Sequence, residues 1–110
     1  MRAPTTQSEE FATFFTPRKV AVVKVKCLLQ TAIDAVAKIP GNRVSPYMAS
    51  LNLISSLFDD EFDKKAYQEI CGFDYRLRHE DHPCGKKAED YVHQMVDIIQ
   101  GSKLLADPDS

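Results

Sequence analysis

Between two proline-marked boundaries this chain carries a run that has room for one element only. Thr16-Pro17 opens it and Pro40-Gly41 closes it. A threonine hydroxyl can cap an amide at a helix start, and proline at the first helical position lacks only an N–H that would have stayed unpaired. Pro-Gly then ends a helix. The spacing predicts a helix over about 17–39, the longest of the chain. Inside it Val22, Val25, Leu29, Ala32, Val36 and Ile39 follow one another at intervals of 3, 4, 3, 4 and 3. Such a seam holds one helix face against its neighbours. Leu28 and Ile33 flank it and widen the buried face. The β-branched opening from Val20 to Val25 has strand character, but no second convincing strand exists to pair with it, and the apolar spacing continues helically.

The other segments repeat the pattern. Thr6-Gln7-Ser8-Glu9 is a capping-box sequence, followed by a short helix with Phe11, Phe14 and Phe15 on one face. Ser45-Pro46 begins a helix with Tyr47, Leu51, Ile54 and Phe58 on one side. Asp59-Asp60-Glu61 suits the positive end of a further helix, which carries Phe62, Ala66 and Ile70 and should stop at Gly72. A last helix runs from about 85 to 100, with Ala88, Val92, Met95 and Ile99 as its stripe. The expected class is all-α, a small bundle of four to five helices in one domain over 1–110, with 1–5 and 102–110 as loose tails.

Composition narrows the functional classes. The apolar fraction is 44% and the charged fraction 27%, the balance of a globular chain. A net charge of −2 argues against a dedicated nucleic-acid binder. Arg18 with Lys19, Arg76 with Arg78, and Lys86 with Lys87 are the candidates for a local basic patch. The first ten residues hold no apolar signal region, and Lys24 and Lys26 interrupt the longest apolar stretch. These features imply a cytoplasmic protein with reduced thiols. Neither a nucleophile elbow, nor a glycine-rich phosphate loop, nor an H-E-x-x-H motif occurs, so no enzyme activity and no cofactor is expected.

Cys71, His79, His82 and Cys84 fall within fourteen positions. Thiol and imidazole are the ligands of structural zinc, but the spacing lacks a close cysteine pair, so zinc is an alternative and not the expectation. A Cys71–Cys84 disulfide is a second alternative, set against an odd cysteine count and a reducing compartment. The favoured reading is a solvated loop with Cys71 packed as a small apolar residue. His79 and His82, beside Glu80 and Asp81, could make that loop respond to pH.

The long helix offers the stronger hint. Val20, Val23 and Cys27 are spaced 3 and 4 on the side opposite the seam. A helix apolar on two faces is buried on both. The second face could be covered by Phe11, Phe14 and Phe15 folding back, or by a second subunit or a different protein. The segment Val20–Ile39, VAVVKVKCLLQTAIDAVAKI, in so small a helical chain resembles the small helical antiactivators of LuxR-type quorum-sensing regulators. That resemblance implies a protein that binds a transcription regulator through apolar helix faces, as a homodimer or a hetero-complex. The stripe itself nominates Phe11, Phe14, Phe15, Val20, Val23 and Cys27 as partner-binding residues. The alternatives are a zinc-stabilised helical adaptor and a small helical DNA-binding protein using the helix that opens with Lys86 and Lys87.

Overall fold

The structure, a computed structural model, describes residues 17–59 and 63–105. Four α-helices form among them: α1 (Pro17–Ala37), α2 (Ser45–Asp59), α3 (Asp63–His79) and α4 (Gly85–Gly101). No strand occurs among the described residues. The expected capping-box helix with Phe11, Phe14 and Phe15 lies outside them.

Each helix packs on its two neighbours and the circuit closes, α1 on α2, α2 on α3, α3 on α4 and α4 on α1. Arg18 at the start of α1 donates from Nη2 to the Leu104 carbonyl just beyond α4, at 3.2 Å. The first and last helices therefore run antiparallel, as the short connections require of the others. The inner stripes meet in one core. α1 contributes Ala21, Val25, Leu29, Ala32 and Val36. α2 contributes Tyr47, Leu51, Ile54, Leu57 and Phe58, and α4 contributes Ala88, Val92, Met95, Val96 and Ile99. Val22 and Ile39, both placed on the seam by spacing, are only half-buried, and Ala21 takes the inner position at the start of α1. The helix stops at Ala37, and the Ile39 N–H turns back to the Val36 carbonyl at 3.0 Å. Gly41, at φ +98°, makes the reversal that follows.

Two boundaries differ from expectation. Gly72 does not end α3, which continues for seven residues to His79. Ile70, Phe73 and Leu77 are all buried, so the apolar stripe carries the helix through the glycine. Residues 102–105, expected within a loose tail, close onto α4. Lys103 adopts a left-handed φ of +54°. Its N–H bonds the Gln100 carbonyl, and the Leu104 N–H bonds the Ile99 carbonyl at 2.9 Å. This pair of bonds is a Schellman closure, and the Leu104 side chain folds back to complete burial. No helix among the described residues is long and apolar enough to cross a membrane.

Candidate interaction face and the histidine–carboxylate network

The right-handed helix of α1 places its second stripe away from the core. Val20 is 36% exposed and Val23 56%, and Cys27 is exposed. Phe11, Phe14 and Phe15 lie outside the described residues. Lys19, Lys24 and Lys26, all exposed, surround the valines. At the helix spacing, Lys19 and Lys26 fall on one flank of the stripe and Lys24 on the other. Lys26 lies over the Phe58 ring of α2, 5.4 Å from its centroid. Lys24 lines a groove of about 420 Å³ between the start of α1 and the end of α4, with Pro17, Val20, Ala21, Ile98 and Ser102.

The Cys/His cluster is dispersed by the helices. Cys71 sits within α3, half-buried, not in a loop. His79 ends that helix, exposed, with its ring 4.2 Å from the Tyr75 ring. Cys84 is buried immediately before α4. Cys27, Cys71 and Cys84 are all free thiols, so no Cys71–Cys84 bond closes the α3–α4 hairpin. Among the described residues no group of three or more His, Cys, Asp or Glu side chains could hold a metal ion. Burial pushes the Cys71 thiol up, and the Asp74 carboxylate adds to it. Burial also raises the Cys84 thiol, against a smaller pull from Arg76. Both shifts favour the protonated thiol.

A different constellation replaces it. Asp74, 5% exposed, is the buried charged residue of the described core. It accepts from Arg78 Nε at 2.9 Å, one turn along α3. Its other oxygen is in close contact with His93 Nδ1 on α4. His93 Nε2 then faces Glu89 Oε1 at 3.4 Å, and Glu89 Oε2 faces His82 Nε2, also at 3.4 Å. The His82 Nδ1 accepts from the Cys84 N–H at 3.2 Å, which fixes the turn into α4. The chain of contacts thus ties α3, the connecting turn and α4 together. Each half was readable as an i, i+4 pair, Asp74 with Arg78 and Glu89 with His93. The link between the halves is not visible in sequence, because it depends on how α3 packs against α4.

The basic pairs are mostly engaged locally. Arg76 bonds Ser50 Oγ at 3.4 Å, lies 3.8 Å from Glu80 and covers the Tyr47 ring. Lys86 and Lys87 line an open hollow of about 520 Å³ with Lys38, Asp34 and Tyr91 at the opposite end from Val20. Compared with known proteins, the chain matches no family model, no curated protein and no solved structure.

Proposed function

We propose that this protein is a non-enzymatic interaction module that works in the cytoplasm and captures another protein on the outer face of α1. The observation that supports this most is the exposure of Val20 and Val23 at 36% and 56% on a helix whose opposite side already fills the core. Full burial of an exposed side chain of this kind contributes roughly 1.5–3 kcal/mol, and covering the exposed share of several of them together favours association. The size and helical build fit a regulatory antiactivator, which would hold a transcription regulator through this face. Within such a complex Cys27 extends the strip by one turn, and Phe11, Phe14 and Phe15 would add to it from the preceding segment.

Val20→Asp and Val23→Asp test the reading. The tagged chain is used to capture its partner from extracts of the cells that make it, and the mass of the intact complex is measured. The expected result is a defined complex with the wild type and none with either variant, at unchanged helix content by circular dichroism. Loss of helix content would place those valines in the core. Undiminished capture by both variants would move the interface elsewhere.

A further inference from the structure

We infer that the outer face of α1 takes an acidic amphipathic helix of a different protein and not a second copy of this chain, an inference that rests on the interaction reading above. Charge decides it. From residue 17 to residue 33 the chain carries Arg18, Lys19, Lys24 and Lys26 and no Asp or Glu, although its net charge is −2. Arg18 turns to the Leu104 carbonyl, and the three exposed lysines are distributed as a rim. Lys24 borders the α1–α4 groove, and Lys26 borders α2 over the Phe58 ring. Between them run the exposed Val20 and Val23. An apolar strip with a cationic rim matches a helix that presents an apolar stripe between carboxylates. The groove of about 420 Å³ beside Val20, floored by Ala21 and Ile98, offers a seat for one large apolar side chain of that helix.

A second copy fits less well. A two-fold contact places the same patch on both sides of the interface. Centred on Val23, it would bring one lysine rim against another. The first acidic residue along this side is Asp34, whose Oδ1 already accepts from Gln30 Nε2 at 3.0 Å. Duplex DNA would meet the lysines, but the two valines would occupy the middle of the contact, where phosphate ligands are needed.

The test uses three fluorescent probes with the full chain. Two are synthetic amphipathic helices with the same leucine stripe, one flanked by glutamates and one by lysines. The third is a short DNA duplex. The glutamate helix should bind about tenfold or more tightly than the lysine helix, and Lys24→Glu combined with Lys26→Glu should reverse that order. Equal binding of the two helices, or binding of neither, overturns the inference. So does DNA binding that Lys24→Glu weakens, or a concentration-dependent dimer that Val23→Asp dissolves. Equal binding that Val23→Asp abolishes leaves the interaction reading standing without its charge preference. Binding that Val23→Asp does not alter removes both.

Discussion

The two sides of α1 are made of the same residue types and meet opposite environments. Val25 and Val36 are completely buried, whereas Val23, on the same helix, is 56% exposed. Nothing in the valine side chain accounts for this. The seam side faces α2 and α4, and among the described residues no helix covers the other side, because a ring of four helices gives each member only one inward direction. The inner stripe therefore stabilises the fold, at roughly 1.5–3 kcal/mol for each large side chain removed from water. The outer stripe, with Val20 36% and Val23 56% exposed, contributes less to folding.

The comparison breaks if the two stripes prove equally costly to truncate. Leu29→Ala, at a position 3% exposed, should destabilise by about 2–5 kcal/mol in urea unfolding. Val23→Ala should stay within about 0.5 kcal/mol. Similar losses at both would mean that the outer stripe is also core.

The next test asks whether the inside is held by apolar contacts alone. His93→Ala removes one of the two partners that buried Asp74 has among the described residues and leaves Arg78. A loss of about 1–3 kcal/mol is expected, since the carboxylate stays buried and less satisfied. A double-mutant cycle with Asp74→Ala should show coupling between the two. Additive losses would mean that the contact does nothing to close α3 on α4.

Tyr67 sharpens the contrast from the opposite direction. Its hydroxyl is buried and meets no hydrogen-bond partner among the described residues. Burial pushes its pKa up to about 12, with a smaller push from Asp63 against a pull from Arg18. The fold thus favours the neutral phenol. The associated stability is complete below pH 10, the ordinary value, and is lost as the pH rises from there through about 12. Tyr67→Phe should gain about 1 kcal/mol at neutral pH and lose less stability across that alkaline window, read by thermal melts at stepped pH. A destabilised variant would reveal a partner for the hydroxyl. A further small effect belongs to the outside of α3. Gly72 is exposed, and a methyl group there would meet no atom within 4 Å. Gly72→Ala should stabilise by about 0.5–1 kcal/mol, which melting curves will resolve.

Local signals in the sequence located most of the bundle. Pro17 and Ser45-Pro46 begin helices as their chemistry demands, and the inner stripes of α2 and α4 are those the spacing selects. Gly72 misled because glycine marks a stop only where the backbone turns left-handed, and here the buried Phe73 and Leu77 outweigh its poor helix propensity. Lys103 performs the left-handed turn that glycine most often makes, at a residue type that gives no such signal. The Cys/His grouping was close in sequence, but about two added turns of helix separate Cys71 from the connection that holds His82 and Cys84. Asp74 and His93 show the reverse case. They are nineteen positions apart and meet only because two helices pack. The exposed stripe of α1 was readable as a surplus of apolar residues, whereas its lysine rim became a pattern only once the helix had a solvent side.

The bond from Arg18 to the Leu104 carbonyl has a topological consequence. It brings Pro17 and Leu105 to the same end of the bundle, so the helices form a cycle whose starting point is a matter of genetic order and not of packing. A short linker from Leu105 to Pro17, with new termini opened at Gly41, would preserve all four helix pairings in a circularly permuted chain. The lysine-rimmed strip would then begin beside an engineered joint, and a binding sequence could be inserted there and presented to it at high local concentration.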